Sequence, residues 1–268
     1  MTNTYLDGTT LHGDDFAFEQ IKCWYEEEKE AYANLGSENI ANYRYGYHEL
    51  NKIHGFNYLK ARHFENVLGL GAAWGHEFYP IIKQITNLHI IEPSDKLRSE
   101  SIAGIKPVYK VPAISGLIDY PDNHFDLVTC FGTLHHIPNV SYVIAELYRV
   151  TKPGGIILLR EPIISMGDWT KPRAGLTRNE RGIPLHLFRE IVNKHQLQII
   201  QEGLCFTMTA FIQRRWIRFS KRPVYTFKTY IIFDKWLSKL FARNLTYHAR
   251  HMLKRIAPQS VAYVLKKV

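Results

Sequence analysis

Residues 67 to 77 read VLGLGAAWGHE, a short apolar run carrying Gly69, Gly71 and Gly75. Glycines there let a chain turn sharply and let a ligand approach the backbone with no Cβ in the way. The loop leads into WGHEFYPIIKQI, which reads as a helix. A helix N-terminus offers free N–H groups suited to a carboxylate or phosphate. Roughly twenty residues on, at the end of NLHIIEP, stands Glu92, where a carboxylate can hold both hydroxyls of a ribose. Loop and acid together point to a nucleoside-containing cofactor. The alternative is that Gly69 and Gly71 serve only strand–helix packing and Glu92 is a surface acid.

Three further groups could move a proton. His135 and His136 follow the apolar run HFDLVTCF, and Glu161 closes GIILLREP. Histidine titrates in the range that suits a general base for a hydroxyl acceptor. Each of the three also has a plain structural reading, as a loop-fixing or salt-bridged residue. His186, before LFREI, either faces the site or caps its helix. Tyr43, Tyr45, Tyr47 and His48 alternate along one stretch and could shape an acceptor pocket or simply pack on a sheet. The histidines lack ligand spacing with carboxylates or cysteines, so no metal site is expected.

The elements that must position these groups alternate. NVLGLG, NLHIIEP, PVYKVPA, HFDLVTCF, GIILLREP, LQIIQEGLCF and SVAYVLKK read as seven strands. Between them, WGHEFYPIIKQI, SDKLRSESI with Ser94 as N-cap, NVSYVIAELYRVT closed by Lys152-Pro153-Gly154-Gly155, and IPLHLFREIVNKH read as helices. Residues 14 to 34 form a helix ahead of the first strand, with Gly36 as its stop. The pattern predicts an α/β fold: a Rossmann-like, mostly parallel sheet with helices on both faces. Ligands in such sheets bind beyond the carboxyl ends of the strands. The division expected is an N-terminal helical cap (1–60), a core (61–210), a helical insertion (211–258) and a last strand (259–268).

The bulk composition fits a globular protein with a real core: 268 residues, 46% hydrophobic and 22% charged. Cys23, Cys130 and Cys205 make no disulfide framework, which suits a reducing cytoplasm. The first residues lack the pattern of a signal peptide, and no stretch nears the roughly 20 apolar residues that span a bilayer. The net charge of +9 is local in origin. Residues 213–255 hold twelve Lys or Arg against Asp234 alone, a net +11, while the rest holds 22 cations and 24 acids. Aromatics from Trp216 to Tyr247 are interleaved with these cations. Tyr230, Ile231, Phe233, Leu237, Leu240 and Phe241 suggest a helical apolar stripe. Such a segment fits an anionic membrane surface, a nucleic acid, or a plain cap or oligomer contact, with nucleic acid the least supported because no RNA-binding module accompanies it.

Four stretches carry a family resemblance: VLGLGAAWGHE, IIEPS, YPDNHFDLVTCFGTLHHIPN and AELYRVTKPGGIILLREP. In order and spacing they resemble class I S-adenosylmethionine-dependent methyltransferases of the small-molecule type. SVAYVLKK resembles that family's antiparallel last strand. The resemblance implies S-adenosyl-L-methionine as cofactor, its methionine part flanked by Gly71 and Gly75 and its ribose held by Glu92. Ser115 and Gly116 would lie near adenine, and Phe131 and Gly132 below the reacting methyl group. The chain departs from the family pattern at Gly69, where an acid is usual, at Ala73, where glycine is usual, and at Ile114–Gly116, where an acid is usual. Ala73 would need a positive φ that alanine disfavours. The stretch EPIISMGDWTKPRAGLTRNERGIP resembles methyltransferases encoded among bacterial polysaccharide-assembly enzymes. The expected function is O-methylation of a sugar-containing or hydroxylated acceptor, lipid-linked at the inner face of a membrane. The alternatives are methylation of RNA or of an isoprenoid-type small molecule, and a non-catalytic binding protein on the same fold.

Overall fold

A computed structural model describes residues 4–35, 43–168 and 171–268. Four short helices come first: α1 (Thr4–Asp7), α2 (Phe18–Glu28), α3 (Ala31–Leu35) and α4 (His48–His54). Then come β1 (Phe64–Leu70), β2 (Ile85–Ile91), β3 (Val108–Lys110), β4 (Phe125–Phe131), α5 (Val140–Val150) and β5 (Thr151–Pro162). The chain ends with α6 (Leu185–Lys194), β6 (Leu197–Cys205), α7 (Thr209–Trp216), α8 (Lys228–Leu240) and β7 (Ser260–Lys267). The seven strands form one sheet in the order β3-β2-β1-β4-β5-β7-β6. β1 to β5 pair in parallel, and β7 runs antiparallel between β5 and β6. This is the Rossmann-like, seven-stranded sheet that the strand–helix alternation predicts.

The central strands β1, β4 and β5 are largely apolar on both faces because both faces are covered. On one side, Val143, Ile144 and Leu147 of α5 and Phe188 and Val192 of α6 pack on Leu68, Val128 and Ile157. On the other, Phe56, Phe78 and Ile81 pack on Val67, Leu127 and Leu158. α5 earns its place through one apolar stripe, with Val140, Val143, Ile144, Leu147 and Val150 all buried. Each such side chain contributes about 1.5–3 kcal/mol on burial. The parallel strands then end together at Leu70, Ile91, Lys110, Phe131 and Pro162. The order reverses between β1 and β4, which opens a crevice at that edge.

Several local expectations are corrected. WGHEFYPIIKQI is not an α-helix but a 3₁₀ run, His76–Gln84, with Pro80 inside it. Proline lacks the N–H and crowds the carbonyl four residues back, so an α-helical ladder cannot continue there. SDKLRSESI holds only one 3₁₀ turn, Asp95–Leu97, and Ser94 makes no side-chain cap. Its hydroxyl donates to Glu30 instead. The segment expected to be one helix over 14–34 is α2 and α3, and Gly36 lies outside the described residues. Lys152-Pro153-Gly154-Gly155 belongs to β5, which begins directly after α5.

The basic insertion differs most from expectation. α8 turns Ile231, Asp234, Leu237 and Ser238 inward. Asp234 accepts hydrogen bonds from the Phe206 N–H (2.7 Å) and the Thr209 hydroxyl (3.4 Å), tying α8 to the end of β6. Ile232, Phe233, Trp236 and Leu240 are left exposed, between 48% and 61%. The apolar stripe expected from the sequence is thus divided: Ile231 and Leu237 face inward, Phe233 and Leu240 outward. The inner face is shared by two apolar and two polar side chains, and the other apolar groups lie outward.

Candidate active site

A cavity of about 450 Å³ opens at the carboxyl ends of β1, β2, β4 and β5, within the ~300–1,000 Å³ usual for small-ligand sites. Its floor is the loop after β1. Gly71 has φ +66°, its N–H donates to Ile91 O (2.8 Å), and a Cβ there would collide with the Thr133 side chain. Ala73 does adopt a positive φ, +46°. That conformation is held from both sides: its N–H donates to Glu92 Oε2 (3.2 Å), and its carbonyl accepts from the Tyr109 hydroxyl (2.9 Å). Local strain of this kind persists where surrounding bonds over-determine it.

Glu92 is 4% exposed and lines the cavity. Its other oxygen, Oε1, accepts from the Ser94 N–H (3.2 Å). Burial raises its pKa to about 7, against the opposing pull of those backbone N–H groups. Gly116, Phe131 and Gly132 line the same cavity, as do Gly71 and Ala73. Gly69 lies in β1 and Gly75 beneath the Ile90 and Ile102 side chains, so both shape the loop from below. Ser115 holds its turn, its hydroxyl accepting from the Leu117 N–H, and is not part of the lining. α2 covers the opening: Trp24, Tyr25 and Glu28 line it, and the Trp24 indole donates to His136 O (2.7 Å).

The histidine doublet sits in a charged cluster. Glu161, fully buried, accepts from the N–H groups of Thr133 (2.9 Å), Leu134 (2.9 Å) and His135 (3.4 Å). Its Oε2 also pairs with His135 Nδ1 at 2.7 Å. His135 Nε2 lies 3.3 Å from Glu180. Burial pulls the His135 pKa down, but the hydrogen bonds and charge of the two carboxylates outweigh it and raise it to about 9. Burial opposes the charge of Glu180 as well, yet His135 and His136 bring its pKa to about 2. His135 is thus an imidazolium between two carboxylates at neutral pH, and Glu161 is spent on orienting the loop. Both groups are engaged by these protein partners at the cavity wall. His136 is different: burial and the adjacent His135 charge lower its pKa, and its Nδ1 meets Glu28 at 3.0 Å.

Spacing along the chain gave no metal-ligand set, but the fold brings His135, His136 and Glu180 within 4.8 Å of one another. Each already has a partner of opposite or complementary charge, so the cluster is satisfied by protein groups alone.

The remaining wall is aromatic and cationic. Tyr45 and Tyr47 line it with Phe131 and Phe206. The Arg160 guanidinium, 8% exposed, lies 4.6 Å from the Tyr47 ring centre and donates from Nε to Asn51 (3.3 Å). Tyr225 of the insertion stacks behind Tyr47 at 4.9 Å. His48 sits on α4 against Tyr45 and Tyr79, outside the lining, and His186 is exposed on the first turn of α6. Neither is brought to the cavity. Glu28, Glu77, Arg160 and Glu180 line it unforeseen. Arg160 was in principle legible: inward and outward positions alternate along a strand, and Arg160 opens the REP triplet that ends β5, directly before Glu161. Glu28 and Glu180 reach the site from distant segments, for which spacing carries no signal.

Residues 68–159 match the family model described as a methyltransferase domain. The chain is 28% identical over 178 residues to the ubiquinone/menaquinone biosynthesis C-methyltransferase UbiE of Vibrio campbellii, covering 60% of this chain and 66% of that protein. It is 40% identical over 67 residues to UbiE of Shewanella pealeana, 25% of this chain and 26% of that one. The chain thus spans less than two thirds of the length of these curated relatives. Among solved structures, it is similar to a S-adenosylmethionine-dependent methyltransferase of Leishmania major (TM-score 0.56, 12% identity, 91% of this chain and 83% of that one). It is also similar to the [4+2]-cyclase SpnF (TM-score 0.54, 13% identity, 94% and 97%). The fold and the matched segment are those of class I S-adenosylmethionine-dependent methyltransferases. S-adenosylmethionine is the cofactor that goes with such a domain. The cyclase shows that the fold alone does not fix the reaction.

Proposed function

We propose that this chain is a S-adenosylmethionine-dependent methyltransferase acting on a hydroxylated small-molecule acceptor of isoprenoid type at a membrane surface. The observation that carries the cofactor reading is Glu92, a buried carboxylate on the cavity wall, fixed by the Ala73 and Ser94 N–H groups. In this reading Glu92 accepts the ribose hydroxyls, Gly116 and Ile114 flank adenine, and Gly71, Phe131 and Gly132 line the path to the reacting methyl group. The cofactor supplies a methyl group on a sulfonium, ready for in-line displacement. The protein aligns the acceptor and excludes water. Arg160 places a cation on the acceptor side, suited to a developing oxyanion on a ring. His136, whose pKa is lowered by burial and by the adjacent His135 charge, is the member of the doublet that stays neutral at the cavity wall. His135 and Glu161 hold the loop.

The acceptor reading rests on three supports. The curated relatives reported above are named for quinone biosynthesis, not for polysaccharide chemistry. The wall of Tyr45, Tyr47, Phe131 and Phe206 suits a flat ring better than a sugar. The exposed Ile232, Phe233, Trp236 and Leu240, flanked by Lys228 and Lys239, suit a bilayer interface with anionic headgroups. No helix among the described residues is long and apolar enough to cross a membrane. In this proposal residues 1–60 act as the cap, 61–210 and 259–268 as the core, and 211–258 as the membrane-facing insertion. The test is transfer of labelled methyl from S-adenosylmethionine to a bacterial lipid extract and, in parallel, to an aqueous glycan fraction. Label in a hydroxylated ring lipid supports the reading. Label confined to the glycan fraction restores the sugar O-methylation expected from the sequence.

A further inference from the structure

Glu77 is the second residue of the 3₁₀ run after the glycine loop, and neither the loop geometry nor the cluster around His135 uses it. It is 4% exposed yet lines the cavity. Its Oε1 accepts one hydrogen bond, from the Thr129 hydroxyl at 2.6 Å. Among the described residues no cation pairs with it directly, and Arg160 acts on it only at longer range. Burial accordingly raises its pKa to about 7. A buried carboxylate without a cation is costly, and it persists where a ligand supplies the missing charge.

Its position says which part of a ligand that would be. Thr129 is the β4 partner of Gly69 in the strand register. Gly69 has no room for a side chain: a Cβ there would lie 2.7 Å from Ala72 Cβ and 3.0 Å from the Phe78 ring. The carboxylate missing at Gly69 is thus delivered to the cavity from Glu77 instead. With ribose at Glu92 and adenine toward Gly116, the other end of the cofactor extends over β1 and β4, where Glu77 and Thr129 meet.

We propose that Glu77 receives the ammonium group at the amino-acid end of the cofactor, a role that rests on the S-adenosylmethionine reading above. It is a cofactor-binding residue of this chain that compensates for Gly69. Thr129 positions it by holding Oε1 and leaving the other oxygen for the ligand.

The test is calorimetric titration of the full chain and of Glu77→Gln with two ligands. S-adenosylhomocysteine carries the amino-acid end, and 5′-methylthioadenosine shares the adenosyl thioether but lacks it. The variant is expected to bind S-adenosylhomocysteine at least about 10-fold more weakly, about 1.4 kcal/mol. It should bind 5′-methylthioadenosine within about 2-fold of the unaltered chain, which also shows that the variant site is folded. Glu77→Asp, which keeps the charge on a shorter arm, should fall between. Equal weakening of both ligands, or of neither, overturns the role of Glu77 while leaving the cofactor reading intact. An acceptor-base role for Glu77 would give that second pattern. Failure of the unaltered chain to bind either ligand overturns the cofactor reading, and this inference with it.

Discussion

Two buried carboxylates organise two regions, and they do so unequally. Glu161 anchors the loop after β4 at the cavity; Asp234 anchors α8 of the basic insertion to β6. Both are fully buried. Glu161 accepts three backbone N–H groups and an imidazolium, so its pKa stays below the ordinary carboxylate range although burial pushes it up. Asp234 has backbone and hydroxyl donors but no cation in ion-pair range among the described residues, and burial raises its pKa to about 6. The cavity region is therefore built to hold charge in one geometry. The insertion keeps an acid without an ion-pair partner among the described residues inside and leaves Ile232, Phe233, Trp236 and Leu240 exposed outside.

The largest test of this contrast is Glu161→Gln. It leaves the His135 charge against a neutral amide and forces an N–H₂ among N–H donors. A loss of about 3–5 kcal/mol in denaturant unfolding is expected. Asp234→Asn should change stability at pH 8 by no more than about 1 kcal/mol, since the aspartate is ionised there at a cost. Similar losses at both sites would remove the contrast.

A pH series sharpens it. The folded pKa of His135, about 9, lies above its ordinary 6.5. Its contribution to stability is therefore complete below pH 6.5 and is lost as pH rises through about 9, with a slope of at most about 1.4 kcal/mol per unit between. His135→Gln should flatten that slope. Glu180 acts in the other direction: its folded pKa of about 2 is depressed, so its contribution is present above about pH 4.5 and is lost as pH falls toward 2.

Glu92→Gln should weaken S-adenosylhomocysteine by about 10- to 100-fold, as expected for losing charge-assisted hydrogen bonds worth about 1.5–3 kcal/mol. The smallest effect on the folded protein is expected on the insertion face. Trp236→Ser should leave unfolding within about 0.5 kcal/mol, yet lower flotation with vesicles containing anionic lipid. Unchanged flotation, or no flotation by the unaltered chain, would remove the membrane from the proposal.

The same two regions differ in how far the sequence revealed them. All seven strands were legible, the central parallel ones most plainly, because strands buried on both faces are short continuous apolar runs bounded by turns. VLGLG and HFDLVTCF could hardly be anything else. That Gly71, Ala73 and Glu92 line the cavity was legible because it depends on backbone position at strand ends, which order along the chain preserves. Glu77, Glu28 and Glu180 were not, since only the fold brings them to the cavity. In the insertion, amphipathicity was visible but its direction was not. Periodicity shows that Ile231 and Leu237 share a face, and it cannot reveal that Asp234 and Ser238 find partners inward while Phe233 and Leu240 lie at the surface. The 3₁₀ run at His76–Gln84 was readable from Pro80, a signal outweighed by the apolar spacing around it.

The central claim is that this loop, with Ala73 held at positive φ and no acid at Gly69, still binds its cofactor. Calorimetric titration of the folded chain with S-adenosylmethionine tests it most directly. Saturable binding with a micromolar Kd, of order −8 kcal/mol, is the predicted result. No saturable heat up to millimolar ligand, from protein that unfolds cooperatively in the same buffer, would contradict it and leave a methyltransferase fold put to another use.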